Sequence, residues 1–297
     1  MTGHRQHRSG TAKRPTYWLV ERQRRRREAK KRRKQRAARG EPPEKLPRTL
    51  ESTRIYRPDL DWGSELPVNE EPITAVLRGE RSPRVMLTTS LRPEGKEIYD
   101  FIGDLLFLFP NSVYRERGER SLAQVCTFAF SQGFTDVWII AQGKGMLLRY
   151  LVHIRLPDGP LYLYRLSSIV CSESIPQRGT PTLHPSEVVA SNFQTILGRH
   201  VERSLTALFP HRDSPRGRQV VLIRNQRDYI FFRFHRYIFE ESSESLSAER
   251  IRVRMQELGP RFTLKLMLIR HPVAGAEGHW SWKRSRKVDT GKQVFAM

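Results

Sequence analysis

DYIFFRFHRYIF, Asp228 to Phe239, is the stretch whose reading decides the fold. Twelve residues rich in aromatic and branched side chains, with no Gly or Pro inside, spell a strand. Strand geometry sends alternate side chains to opposite faces. Ile230, Phe232 and Phe234 then share a core face, with Arg236 and Ile238 further along it, while Tyr229, Phe231, Arg233, His235 and Tyr237 share the other. That second face interleaves rings and cations, the chemistry that stacks bases and holds phosphates. The competing reading is a sheet packed on both sides, with Arg233 and His235 reaching its rim. His235 has no Cys, His or Asp partner at metal-ligand spacing.

Moving outward, Gly259 to Ile269 (GPRFTLKLMLI) opens with a turn and continues as a strand. Arg261, Thr263 and Lys265 line one side and Phe262, Leu264 and Leu266 the other, a stripe suited to an RNA backbone and equally to an ordinary half-exposed strand. Ile251–Glu257 and Arg218–Arg224 read as further strands, and Arg216, Arg218, Arg224 and Arg227 cluster around the latter. Toward the N-terminus, the pattern predicts one helix from about Ser186 to Phe209, with a break near Gly198. Before it come paired strands at Arg149–Leu156 and Leu161–Leu166, a strand at Asp136–Ala141, a helix near Leu122–Ser131, a helix from Glu94 to Phe109 and a buried strand at Arg84–Thr89. Strands mixed with amphipathic helices define an α/β protein. Leu108-Phe109-Pro110 and Leu208-Phe209-Pro210 each close a helix and lead through a short polar loop to a strand, an echo that suggests duplication.

Charge divides the 297 residues further. The chain carries a formal net charge of +22. Residues 1–40 hold sixteen basic and two acidic groups. Their centre, with Arg24, Arg25, Arg26, Arg27, Lys30, Lys31, Arg32 and Arg33, lacks an apolar stripe. It is expected to be disordered in isolation and helical on a polyanion, where it would also serve as a nuclear address. Tyr17 and Trp18 sit in its one apolar patch and are candidate anchors for a protein partner. Residues 41–81 form a Pro-rich, acidic linker expected to run as an extended strap. The periodic part, 82–270, is the folded domain, followed by a tail, 271–297. Two cysteines, Cys126 and Cys171, point to reduced thiols. No apolar run approaches a membrane span, and Met1 to Gly10 has no apolar stretch of the kind that opens a secretory leader. No phosphate-binding loop, HExxH or Gly-x-Ser-x-Gly pattern occurs. Nothing calls for a metal, a cofactor, a small-molecule substrate or a catalytic residue, so the expectation is a binding protein rather than an enzyme.

PRVMLTTSLRP (Pro83–Pro93), FPNS (Phe109–Ser112), LPDGP (Leu156–Pro160), NQRDYIFFRFHRYIF (Asn225–Phe239) and ELGPRFTLKL (Glu257–Leu266) resemble the Brix-domain family of ribosome biogenesis factors. The resemblance covers roughly residues 82–270. It implies two similar α/β halves, each akin to the anticodon-binding domain of class II aminoacyl-tRNA synthetases. It also implies pre-rRNA binding in nucleolar precursors of the large (60S) ribosomal subunit, alongside other assembly factors and ribosomal proteins. The segment Gly259–Leu266 corresponds to one taken in the family as RNA-contacting. Residues 242–254 and Ala141–Tyr150 depart from the family pattern.

The expectation is therefore a nuclear, nucleolar, non-enzymatic assembly factor that binds pre-rRNA and supports rRNA processing. Its RNA-binding residues would be Arg218, Arg224, Arg227, Arg233, His235, Arg236, Arg261, Thr263 and Lys265, together with the cations of the arm. The alternative is a protein-interaction scaffold within pre-ribosomes whose basic arm serves only localisation. A third, a tRNA-binding appendage of an enzyme, fits the fold but finds no catalytic domain in the chain.

Overall fold

A computed structural model describes residues 17–40, 48–50, 52–55, 71–211, 217–241, 251–271, 280–284 and 295–297. They fall into two units, one within residues 1–52 and one within 53–297. In the first, Tyr17–Ala38 forms helix α1. Its Arg, Lys, Gln, Glu and Ala residues favour helix. Ion pairs one turn apart, Arg24–Glu28 at 2.9 Å and Arg25–Glu21 at 3.2 Å, offset part of the repulsion among its cations.

The second unit comprises, in order, α2 (Glu71–Leu77), β1 (Val85–Thr89), α3 (Lys96–Leu108), β2 (Ser112–Tyr114), α4 (Leu122–Ser131), β3 (Asp136–Gln142), β4 (Leu148–Arg155), β5 (Leu161–Val170), β6 (Glu187–Ser191), α5 (Ile196–Thr206), β7 (Gln219–Gln226), β8 (Tyr229–Glu241), β9 (Ile251–Glu257), β10 (Arg261–His271) and β11 (Trp280–Lys283). The strands make one mixed sheet in the order β2-β1-β3-β4-β5-β10-β8-β7-β6, with β11 on β10 and β9 on β8. That order is nearly a palindrome. β1 runs parallel to β3, which pairs antiparallel with β4, and β4 with β5. In the second half β6 runs parallel to β7, which pairs antiparallel with β8, and β8 with β10. The halves join antiparallel through β5 and β10. The echoed segments occupy matching places: a buried Leu-Phe closes α3 and another follows α5 after Ala207, and the Phe109 and Phe209 rings meet at 5.2 Å.

Both long helices cover one face of the sheet. Ile98, Phe101, Ile102, Leu105 and Leu108 of α3, and Leu197, Val201 and Leu205 of α5, pack with Leu87, Trp138, Tyr164, Phe232, Phe262 and Leu264 in a single core. α3 has the predicted helical spacing and ends where the Phe109 amide donates to the Leu105 carbonyl, ahead of Asn111 at φ 60°. On the opposite face α4, started by a Ser121–Gln124 capping box, covers only the first half. There Val125 and Ala129 meet Met86, Val137, Ile139 and Ile154.

The single helix predicted over Ser186–Phe209 is instead β6 followed by α5. The helical periodicity comes from residues 196–209 alone. Ahead of them Val188 and Val189 favour a strand. Asn192, at φ 67°, breaks the chain and exchanges two side-chain hydrogen bonds with Asn225, and Thr195 then caps α5. The linker is likewise not wholly extended: α2 buries Ile73 and Val76 against Ala207. Most of the remaining linker, and residues 242–250 of the departing stretch, lie outside the described residues. The tail adds β11 to the sheet and sends Phe295–Met297 back to the body. Asp228, in the two-residue turn it forms with Arg227 (both at positive φ), receives the Ala296 and Met297 amides at 2.9 Å. It also pairs with Arg284 at 3.0 Å, both side chains 2% exposed.

A polar seam crosses the core between α5 and strands of the first half. His153 Nε2 donates to Asp136 at 2.8 Å, Arg155 pairs with the same carboxylate at 2.9 Å, and Tyr162 shares a 2.8 Å hydrogen bond with His200. Burial alone would raise the Asp136 carboxyl, but Arg155, His153 and Thr135 hold it below its ordinary value. Burial depresses His153, and burial with Arg203, Arg155 and His271 nearby pushes His200 down to about 4. Both imidazoles are therefore neutral at neutral pH.

Candidate nucleic-acid interface

Among the described residues the second half has no counterpart of α4. Only residues 210–218 separate α5 and its closing Ala207–Phe209 turn from β7, too few for a ten-residue covering helix with its loops. Among the described residues no helix covers, over β5, β10, β8 and β7, the sheet face that α4 hides in the first half. Cross-strand register determines what that face shows, because directly paired residues point the same way.

One row runs Tyr150, Arg165, Lys265, Tyr229, Gln226 across β4, β5, β10, β8 and β7. At an inter-strand spacing of about 4.8 Å it extends roughly 19 Å. Tyr150 and Tyr229 are 37% and 42% exposed, and Arg165 and Gln226 are exposed too. Lys265 is half-buried, its ammonium 5.1 Å from the Tyr229 ring centre. The next row holds Ser167, Thr263, Phe231 and Arg224, and beyond it Arg233 sits beside Leu222, its guanidinium 5.6 Å from the Phe231 ring. Aromatic and basic groups thus stand side by side along strands and across them.

The structure sorts the predicted residues. Arg224, Arg233, His235, Arg261 and Lys265 share the open face. Arg227 is exposed on the β7–β8 turn at its border, and Arg218 is exposed beside the start of β7. Arg236 is not among them: it pairs with the buried Gln219, on the face that carries Phe232 and Phe234. Thr263 is also corrected, being 3% exposed in the interior of the sheet, with β5 paired on one side at Ser167 and β8 on the other at Phe231. Arg261 is neutralised in place. Its guanidinium holds Glu257 through two hydrogen bonds, one of them 2.6 Å, which raises the arginine's pKa. Burial alone would raise the Glu257 carboxyl, yet Arg261 holds it below its ordinary value. Burial lowers the pKa of His235 and of Arg233. His235 therefore brings a neutral ring at neutral pH, while Arg233 stays charged.

Sequence reasoning missed Arg165 and Tyr150. Their strands were legible, but nothing local places β5 beside β10, a pairing across about 100 residues. In α1, Arg24, Arg25, Arg26, Arg27, Lys30, Lys31 and Arg32 are exposed. The side chains of Tyr17, Trp18 and Arg33 lie outside the described ones. Among the described residues no group of three or more His, Cys, Asp or Glu could hold a metal, and no helix is long and apolar enough to cross a membrane.

A sheet built as two mirrored α/β halves, with one face open and basic, defines the class: a family model described as the Brix domain matches residues 93–268, and the chain belongs to the Brix-domain family. Its relatives include ribosome production factor 1 of Saccharomyces cerevisiae, 34% identical over 255 residues that span 85% of this chain and 81% of that protein. Ribosome production factor 1 of Danio rerio is 36% identical over 269 residues, 85% of this chain and 76% of that protein. The crystal structure of a probable ribosomal biogenesis protein from Aeropyrum pernix K1 aligns with a TM-score of 0.42 at 16% identity, covering 66% of this chain and 99% of that one.

Proposed function

We propose that this protein is a ribosome biogenesis factor that binds pre-rRNA of the large subunit, in the nucleolus, through the open sheet face and α1. The single observation carrying this reading is the row Tyr150–Arg165–Lys265–Tyr229, where two neighbouring cations stand between two rings on one sheet face. Cations neutralise phosphates and release counterions, while aromatic rings accept unstacked bases. The basic helix α1 adds charge without sequence preference. The protein's work is to hold one rRNA arrangement beside other assembly factors and ribosomal proteins, with no bond made or broken. Relatives named for ribosome production support that role.

The test is binding of the full chain to large-subunit pre-rRNA fragments over a salt series. Replacing Arg165 and Lys265 together by Ala is expected to lower the slope of log affinity against log salt by up to about two units, roughly one for each phosphate that is no longer neutralised. Deleting residues 1–40 is expected to weaken binding while leaving it salt-dependent. An unchanged slope in the double variant, or complete loss of salt-dependent binding with the arm alone removed, would favour a scaffold whose charge serves only localisation.

A further inference from the structure

A second basic site lies away from the open face. β1, between β2 and β3, is parallel to both. The chain leaves β1 through α3 on one side of the sheet and leaves β2 through α4 on the other. Where neighbouring parallel strands send their connections to opposite sides, a crevice opens at their carboxyl ends, the usual ligand position in α/β sheets. Beside those ends, on the α4 side of β1, lies a cavity of about 250 Å³. Met86 and Val125 form its apolar floor, and Phe128, 43% exposed on α4, forms a wall. Arg115, Arg117 and Arg120, from the loop after β2, stand around it against one carboxylate, Glu116. The Arg117 Nε donates to the Arg120 carbonyl at 3.1 Å, which fixes the loop's shape. Thr88, at the end of β1, lines the cavity as well. It is 1% exposed, and its hydroxyl has no hydrogen-bond partner.

An apolar slot with an aromatic wall takes a planar ring. A buried hydroxyl that lacks a partner needs a polar edge on that ring. Arginines at the mouth need an anion beside it. We propose that this crevice binds a nucleotide, its base lying against Phe128 and over Met86 and Val125. The base edge meets Thr88 Oγ1, and the phosphate lies among Arg115, Arg117 and Arg120. The nucleotide's source is either an unstacked residue of RNA, in which case the site deepens the RNA-binding reading and rests on it, or a free mononucleotide.

Three probes separate the cases: a single-stranded RNA 12-mer carrying one 2-aminopurine, 2-aminopurine riboside monophosphate, and an RNA duplex without unpaired bases. The full chain is expected to change the 2-aminopurine fluorescence of the 12-mer. Arg115→Gln with Arg120→Gln should weaken that response at least tenfold, and Phe128→Ala should remove most of the fluorescence change. Both arginines are exposed, so the double variant is expected to melt like the parent. Duplex binding should be unaltered by these changes and reduced by Arg165→Ala with Lys265→Ala. A response from the monophosphate, with the same dependence on Arg115 and Arg120, supports the free nucleotide as the source. If the 12-mer and the monophosphate respond identically in parent and pocket variants, or neither responds at all, the crevice is not a nucleotide site. Displacement of the bound probe by a short acidic peptide without competition from unlabelled AMP overturns it in favour of a protein ligand. Duplex binding that persists when the pocket arm fails leaves the sheet-face reading standing, whereas failure of every RNA arm ends both.

Discussion

His200 sits under α5 with its imidazole 2% exposed and bonded to the Tyr162 hydroxyl. In the unfolded chain this group takes a proton near pH 6.5, while in the fold burial and nearby cations hold it neutral down to about 4. The folded state therefore binds fewer protons between those values, and stability falls as pH drops through that window. The full shift corresponds to about 3 kcal/mol. His153, also depressed by burial, slopes the same way. Asp136, held below its ordinary value, loses its stabilising share only in more acidic solution, as pH falls through the carboxylate range. Urea melts from pH 7 to pH 4.5 are expected to show a steady loss of stability. His200→Asn should flatten that dependence while leaving the His153 contribution. A parent protein equally stable at both ends would contradict the buried neutral assignment.

At the scale of elements, α5 carries a conflict between local preference and packing. Gly198 lies in its first turn, and glycine in a helix costs about 1 kcal/mol relative to alanine. A Cβ there would come within 3.3 Å of the Met297 backbone and 3.2 Å of Thr195 Oγ1. Thr195 caps α5 and also donates to the Ala296 carbonyl at 2.8 Å, so it cannot move freely. Gly198→Ala is thus expected to destabilise by about 1 kcal/mol rather than stabilise. Faster hydrogen exchange at the Ala296 and Met297 amides, which Asp228 now holds, would localise the strain. A gain in stability would show that helix propensity outweighs the crowding. The misread boundary before α5 has the same origin. The periodicity of residues 196–209 does not reach Val188 and Val189, whose branched side chains favour the strand that pairing with β7 completes.

Across the whole molecule, the two halves are held by the β5–β10 pairing and by aromatic packing over it. Phe109 lies against Trp138 at 4.7 Å and against Phe209 at 5.2 Å, and Phe101 meets Phe262 edge-on at 5.5 Å. Phe109 and Phe209 come from corresponding positions 100 residues apart. A double-mutant cycle with Phe109→Leu and Phe209→Leu is expected to yield a coupling of about 0.5–1.5 kcal/mol. Additive effects would mean that the echoed residues support their own halves only.

Strands and helices with clean periodicity were readable in isolation: the core face of β8, the buried stripe of α3 and the extent of α4 follow from side-chain spacing, which is a local property. The charge of residues 1–40 and the family motifs were equally plain. What spacing could not show was the neighbour of each strand. Whether Arg261 is a free cation or the partner of Glu257, whether Thr263 is open or sealed, and that Arg165 and Tyr150 extend the row beside Lys265 all depend on pairings between distant segments. The lack of a second covering helix among the described residues had the same standing: the short span after Pro210 was visible, but its consequence, an open basic sheet face, exists only once both halves share one sheet. The chain's local chemistry determined which elements could form and the sign of their charge. Long-range hydrogen bonding between strands decided which of those charges stand together in water.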